Sequence, residues 1–360
     1  MEGAPSRTID SEDITPAELR LAARNHGLPL ELLREPITPI GLHYLLIHYD
    51  IPGVDAESFR LEVGGAVERP LSLSLADLRA RERVTRPMTF ECAGNGRALL
   101  SPRPVSQPWL SEAVGTAEWG GTLLGPLLEE AGPLDGAVEA LFTGLDSGVE
   151  GGVFQHYQRA LPLAEADRGL LAYEMNGAPV PPQHGFPLRL VVPGWYGMTN
   201  VKWLTRVTLL EEPFQGFQQS VAYRMYGDDG EPGEPLTRMM PRSLMAPPGV
   251  PEFMTRERHL EPGPVTLRGR AWSGWGQIAA VTVSTDGGAT FVEAELEEPV
   301  GEAAWRGWRF HWDAPEGEHV LSSRATDAAG NTQPLEPPWN LKGYANNAVE
   351  RVRVVVGRRT

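Results

Sequence analysis

Forty glycines and thirty-three prolines are spread through these 360 residues, and that density constrains the fold more than any other feature. In a helix interior glycine costs about 1 kcal/mol and proline about 3 kcal/mol relative to alanine, so a chain punctuated this often cannot be a helical bundle. It reads as a loop-rich, β-dominated protein, and at about 100–200 residues per domain its length predicts two domains, each with its own core. Three short helices are expected. Thr15-Pro16-Ala17-Glu18 combines a cap, a first-position proline and a glutamate three after the cap, predicting a helix to about Asn25. Residues 74–82 and 122–131 read as two more. Strand-like runs at 59–64, 138–143, 187–192 and 206–210 mix with them without β-α-β alternation, so the first domain, residues 1–232, reads as α+β.

The composition around 215–250 shifts to Gly, Pro, Asp and Met, which predicts a linker. Beyond it the pattern is all β. Runs at 265–272, 279–285, 305–312, 319–326 and 349–356, with Asp286-Gly287-Gly288 turning into a further run at 291–296, predict an immunoglobulin-like sandwich in residues 233–360.

Charge narrows the partners. Forty-seven acidic against 32 basic residues give a net charge of −15, which argues against nucleic acid or an anionic membrane surface. An anionic substrate would need a local cluster of arginines. No run reaches about 18 consecutive apolar residues, so no membrane span is expected. Met1 to Glu12 is polar and acidic and lacks the pattern of a signal peptide, so the chain as given is expected in the cytoplasm, or in the periplasm if a leader has been removed.

Cys92 is the only cysteine. An intrachain disulfide and a multi-cysteine zinc site are therefore excluded, leaving an inert buried thiol, a nucleophile, or one soft ligand to a metal that something else mostly holds. Its setting is Phe90-Glu91-Cys92-Ala93-Gly94-Asn95-Gly96-Arg97. Phe90 reads as the end of a buried strand, the glycines let backbone lie close to a ligand, and Arg97 is expected to lower the thiol pKa. Further on, His184-Gly185-Phe186-Pro187-Leu188-Arg189 and Val201-Lys202-Trp203 flank the loop Pro193-Gly194-Trp195-Tyr196-Gly197. Arginine and lysine converging beside glycines suit an anionic group such as a phosphate.

Taken together, Cys92-Ala93-Gly94-Asn95 with Arg97, His184-Gly185-Phe186-Pro187 with Arg189, and Asn200-Val201-Lys202-Trp203 resemble the molybdenum-pterin domain of the sulfite oxidase family. Ala271-Trp272-Ser273-Gly274, Ser284-Thr285-Asp286-Gly287-Gly288 and Trp339-Asn340-Leu341-Lys342-Gly343 are similar to that family's C-terminal dimerisation domain. The resemblance implies a molybdenum-molybdopterin cofactor with Cys92 as the thiolate ligand, and His48, Asp146, His184, Arg189 and Lys202 holding the pterin and its phosphate. Arg97 would face the substrate anion, Trp109 would wall the pocket, and Tyr223 would hydrogen-bond to the oxygen at the metal. A homodimer is implied as well. The implied reaction oxidises sulfite to sulfate by oxygen-atom transfer and passes electrons to a separate acceptor, such as a cytochrome.

Departures from the family pattern bear on the substrate. Leu46-Ile47-His48 stands where the family carries Arg-Asn-His, and a second expected arginine falls at Gln277. His156 and Arg159 are candidate replacements. No His-Pro-Gly-Gly segment of a haem domain occurs, so no haem is expected in this chain. The alternatives are a molybdoenzyme of the same fold acting on another sulfur compound, nitrate or a sulfoxide, and a cofactor-free interaction protein with Cys92 merely buried.

Overall fold

The computed structural model describes residues 8–9, 13–227 and 229–357. Two five-stranded sheets build the first half. One runs in the order Ala178–Pro179, Leu170–Met175, Val114–Leu123, Val84–Glu91, with Arg189–Val191 also paired to Leu170–Met175. The other runs Leu71–Ser74, Arg60–Gly65, Leu204–Leu210, Glu139–Glu150, Val153–Pro162. It is mixed, since Arg60–Gly65 and Leu204–Leu210 are parallel while its other pairs are antiparallel. Few helices and no regular alternation make this half α+β, as the sequence predicts.

The helices begin where their caps direct. Pro16–Ala22 and Leu75–Arg79 each open on a complete capping box, Thr15 with Glu18 and Ser74 with Asp77. The first ends three residues before Asn25, because Asn25 folds its amide back to donate to the Leu21 carbonyl at 3.0 Å. The helix expected from residue 122 starts at Gly125 instead. Thr122 and Leu123 finish a strand whose pairing with Leu170–Met175 outweighs local helix propensity.

The second half is a sandwich. One sheet orders Arg242–Met245, Gly263–Trp272, Arg306–Ala314 and Glu295–Leu296. The other orders Val250–Pro251, Arg258–Leu260, Val352–Val356, Gly317–Asp327, Ile278–Ser284 and Val292–Glu293. Leu267, Trp308 and Trp312 from the first face Val281, Val283, Leu321 and Ala325 from the second in one core. The single run expected at 291–296 divides between the two sheets. Ala294, at the switch, is buried and donates its N–H to the Val281 carbonyl at 2.8 Å. The expected linker is also structured: it holds a π-helical turn at Gln218–Ala222, the paired strands Arg224–Tyr226 and Pro232–Pro235, and the buried strand Arg242–Met245. No helix among the described residues is long and apolar enough to cross a membrane.

Candidate active site

The strand Val84–Glu91 is exposed or half-buried at its start and buried over its last four residues, and it delivers Cys92 to the floor of a cleft of about 630 Å³. Seven residues singled out in the sequence line that cleft: His48, Cys92, Asp146, His184, Arg189, Lys202 and Tyr223. They come from both sheets. Asp146 lies within an irregularity between Thr143 and Ser147, where the Glu139–Glu150 strand loses register with its neighbour and re-aims its side chains. Lys202 and His184 approach through Gly185, whose φ of +111° and 3.0 Å clearance between a hypothetical Cβ and the Lys202 Cβ leave room only for glycine.

The Cys92 loop is gripped by the second half of the chain. Ala345 donates its N–H to the Ala93 carbonyl at 2.8 Å, and Asn346 Nδ2 donates to the Gly96 carbonyl at 2.8 Å. Arg97 Nε donates to the Lys342 carbonyl at 2.8 Å and Nη1 to the Gln107 carbonyl at 3.0 Å. A Cβ on Gly94 would stand 2.5 Å from Arg97 Nη2, so the guanidinium lies against the Gly94 backbone. Burial pushes the Cys92 thiol above its ordinary value, while Arg97, the Gly94 N–H and the Trp109 indole pull it down. Arg97 lowers the thiol as expected, but desolvation outweighs it and the net shift is upward.

The cleft gathers basic groups that form no close ion pair among the described residues. Burial lowers Lys202 to about 7 and Arg189 to about 10, and lowers His184 to about 2 and His48 to about 3. Asp146, the acidic group facing Lys202, is itself raised to about 6 by burial. Lys202 Nζ donates to the carbonyls of Leu46 at 2.7 Å and Gln183 at 3.2 Å; Arg189 donates to those of His184 at 2.8 Å and Asn200 at 3.1 Å. Arg189 Nε and His43 Nε2 are buried without a hydrogen-bond partner among the described residues. A desolvated guanidinium with an orphaned N–H at Arg189 Nε, beside Lys202, fits an anionic ligand such as a pterin phosphate, while the neutral His43, whose Nδ1–H faces the Tyr44 carbonyl, offers Nε2 as an unused acceptor. No group of three His, Cys, Asp or Glu side chains among the described residues could hold a metal alone. A single soft ligand, Cys92, fits a metal whose remaining ligands arrive with its cofactor.

Two expected residues stand behind the cleft rather than on its wall. Trp109 packs with Phe90 and Tyr44 in the core cluster against Cys92, and Arg97 is buried under the loop with its head 5.1 Å from the Tyr344 ring centroid. His48 hydrogen-bonds through Nε2 with the Tyr223 hydroxyl and stacks on Tyr157 at 4.6 Å, so it meets the tyrosine as well as the cleft. His156 is exposed, because strand alternation turns it away while Tyr157 and Arg159 point inward. It is not a replacement for a missing arginine. Gln277 lies in a separate cleft with Arg86, Arg168 and Trp275, where its amide donates to the Glu302 carbonyl at 3.3 Å, so it does not complete the Cys92 cleft. Leu46 does line the cleft, offering an apolar side chain and the carbonyl bound by Lys202.

Other site residues were not singled out in the sequence. His43 and Tyr44 line the cleft from a segment that carries no motif, and Tyr157 sits on a strand with none. Asn200 was visible inside the Asn200-Val201-Lys202-Trp203 motif; its Oδ1 accepts from the Val192 N–H at 2.7 Å and ties the loop before Lys202 to the sheet.

A half-buried thiol in a cleft shared with Arg189 and Lys202, backed by a β-sandwich, is the site of a molybdopterin-dependent oxidoreductase. Residues 48–218 match the oxidoreductase molybdopterin-binding domain and residues 237–357 the molybdenum-cofactor oxidoreductase dimerisation domain. Sulfite oxidase of Arabidopsis thaliana is 32% identical, with 91% of this chain and 90% of that protein covered. Human mitochondrial sulfite oxidase is 37% identical over 91% of this chain, which spans 63% of the human protein's length. The sulfane dehydrogenase SoxCD of Paracoccus pantotrophus superposes with a TM-score of 0.82 at 26% identity, covering 99% of this chain and 91% of that one. The chain belongs to the sulfite oxidase family.

Proposed function

We propose that this protein oxidises sulfite to sulfate and passes the electrons to a separate acceptor, such as a cytochrome. The observation that carries the proposal is the convergence of Cys92 with Arg189, Lys202, His184 and Asp146 in one cleft. Sulfite gains one oxygen from water and loses two electrons, releasing two protons; molybdenum held by its pterin supplies two-electron oxygen-atom transfer. Cys92 Sγ serves as the protein's ligand to the metal, and Arg189 and Lys202 hold the pterin phosphate, with His184 and Asp146 beside them. Arg97 contributes positive charge below the loop, and Tyr223 presents a hydroxyl oriented by His48. Because burial raises the Tyr223 phenol well above its ordinary value, the hydroxyl stays protonated, and with His48 donating from Nε2 its one proton is available to a substrate oxygen. The match of residues 237–357 to a dimerisation domain supports a homodimer.

A second reading, oxidation of another reduced sulfur compound, is favoured by one observation: Leu46 puts an apolar side chain on the cleft wall. The sulfane dehydrogenase likeness supports it. The test uses protein made in a molybdenum-competent host, assayed with sulfite and with sulfane-sulfur compounds against dye and cytochrome acceptors. About one molybdenum per chain with sulfite-dependent reduction is expected. Bound molybdenum with turnover of a sulfane compound alone selects the second reading, and absence of molybdenum overturns both.

A further inference from the structure

Two hairpins of different character stand beside the Cys92 cleft. The first joins the strands Glu139–Glu150 and Val153–Pro162, whose Asp146 and Tyr157 line the cleft. Beyond those residues the register sets Val149 opposite Phe154, and the two are 70% and 68% exposed. Val153, opposite Glu150, is 50% exposed. Three large apolar side chains at one tip are poorly served by water and mark a surface for a partner. The tip is held in place. Gly151 and Gly152 turn the chain with φ of +60° and +76°, as a two-residue hairpin loop requires, while the Tyr49 ring packs on Gly148 and the Phe217 ring on Gly151. Glu150 Oε2 accepts from the Tyr49 hydroxyl at 3.0 Å and from Gln218 Nε2 at 2.5 Å. Tyr49 follows the cleft residue His48, and Gln218 opens the turn that leads into Tyr223, so the tip is fastened to the rim of the cleft.

The second hairpin, Arg224–Tyr226 with Pro232–Pro235, packs against the same turn, Gln218–Ala222. It is acidic. Asp229, Glu231 and Glu234 are exposed on it, and no basic residue stands between Tyr226 and Glu234. The basic residues at its root, Arg224 and Lys342, are half-buried, and Lys342 Nζ is occupied by the Val221 and Ala222 carbonyls at 2.7 and 3.1 Å. Asp50, next to Tyr49, adds a carboxylate that is 98% exposed, with Arg24 at 3.6 Å. An apolar tip beside carboxylates suits a basic partner. The net charge of −15 opposes both a second copy of this chain and an anionic membrane at this surface.

We propose that Val149, Val153 and Phe154, with the acidic hairpin beside them, form the docking surface for the electron acceptor, a basic one-electron carrier protein with an apolar rim around its redox centre, such as a ferric cytochrome c. The source of the electrons is taken from the function proposed above. Each sulfite converted to sulfate with one water releases two protons and two electrons, so two ferric carriers become ferrous per turnover. Electron transfer slows exponentially with distance, and a protein acceptor must therefore seat against the rim of the cleft. The carboxylates steer the carrier in, and the apolar tip holds it.

The experiment compares wild-type holoenzyme with Val149→Ser/Phe154→Ser and with Asp229→Asn/Glu231→Gln/Glu234→Gln. A control, Phe253→Ser/Met254→Ser, removes an apolar pair that is 81% and 79% exposed on the sandwich. Sulfite-dependent reduction of a basic cytochrome c and of ferricyanide is measured, with the affinity for ferric cytochrome c by calorimetry at two ionic strengths. Both test variants should raise KM and Kd for cytochrome c about tenfold, leave ferricyanide reduction within about twofold of wild type, and keep their molybdenum. The acidic-hairpin variant should also flatten the salt dependence, and the control should match wild type. If the apolar variant fails to fold, the acidic-hairpin variant carries the comparison. Unchanged KM and Kd in a folded test variant, or an equal loss in the control, overturn the docking surface and leave sulfite oxidation standing. An apolar variant that turns a dimer into a monomer by light scattering shows a contact between copies and overturns it as well. Cytochrome binding that both test variants weaken, in an enzyme that reduces neither acceptor with sulfite, keeps the docking surface and removes the sulfite reading. A wild type that reduces ferricyanide with sulfite but neither binds nor reduces cytochrome c removes the docking surface alone.

Discussion

Arg242 Nη1 meets Glu91 Oε1 at 3.0 Å with both side chains buried, and this ion pair joins the two halves of the molecule one residue before Cys92. Both carboxylate oxygens are satisfied, while Arg242 Nε is buried without a partner among the described residues. Asn95 donates to the same carboxylate oxygen at 3.0 Å, Trp272 Nε1 donates to the other at 2.9 Å, and Arg242 also reaches the carbonyls of Asn95 at 3.2 Å and Asn346 at 2.9 Å. The sandwich therefore sets the position of the sulfur, which explains why a chain whose chemistry lies in its first half carries a second domain in tight contact with it.

Removing one partner strands the other in the interior. Arg242→Met should cost about 3–5 kcal/mol, the range for breaking a buried pair. A drop in Tm with loss of molybdenum retention is the expected result, measured by calorimetry and elemental analysis on the same preparation. A variant as stable as wild type and fully loaded would show that the loop is set by Asn346 and Ala345 alone.

Cofactor anchoring and the metal ligand are separable. Arg189→Ala combined with Lys202→Ala should lower molybdenum per chain with the far-ultraviolet dichroism unchanged, because both side chains bond to loop carbonyls and not to a carboxylate of the core. Cys92→Ser should keep those anchors and much of the cofactor while activity falls below a few per cent, since a hard oxygen replaces a soft sulfur. Full occupancy in the double variant, or substantial activity in the serine variant, would reverse the respective assignment.

Acid should destabilise the cofactor-free protein by way of three histidines. Burial holds His43, His48 and His184 at about 4, about 3 and about 2, below the ordinary value of 6.5. The folded values lie below the unfolded one, so the unfolded chain binds more protons in the intervening window. Stability is full above pH 6.5 and is lost as pH falls, by up to about 1.4 kcal/mol per pH unit for each histidine. Asp146, raised to about 6, works in the opposite sense below that pH, as do Glu91 and Glu350, which burial also raises, so they offset part of the loss. Urea unfolding at pH 7, 6 and 5 should give falling stability, with a shallower slope in His184→Gln; equal stability at pH 7 and 5 would contradict the buried neutral state.

What the sequence disclosed follows physical locality. Thr15 with Glu18 and Ser74 with Asp77 announce helix starts because caps are local, and Cys92, Arg97, Arg189 and Lys202 stand in short motifs whose spacing is set by one turn each. The long strands Val114–Leu123 and Val153–Pro162 were not read, because four glycines and alanines in the first and the polar Gln155, His156 and Gln158 in the second blur the alternation. Long-range relations were hidden for the same reason. Nothing near Tyr223 in sequence shows that His48 bonds with it, and nothing near Gln277 shows that the strand Ile278–Ser284 carries it to a different cleft.

That last relation changes what an added arginine should do. From sequence alone Gln277 is a position where restoring an arginine would tighten sulfite binding. In the structure it faces Glu302 and lines the cleft with Arg86 and Arg168, sharing no residue with the one above Cys92. Gln277→Arg should therefore leave KM for sulfite within about twofold of wild type, because a charge in a separate, solvent-open cleft is screened over about 8–10 Å at physiological salt. Leu46→Arg places the guanidinium on the wall of the Cys92 cleft itself. A charge-assisted hydrogen bond there is worth about 1.5–3 kcal/mol, so KM should fall by about tenfold or more. Steady-state kinetics of both variants at two ionic strengths separates the outcomes: a KM lowered by Gln277→Arg and untouched by Leu46→Arg would mean that the substrate reaches the metal from the domain boundary and that the anion site lies there.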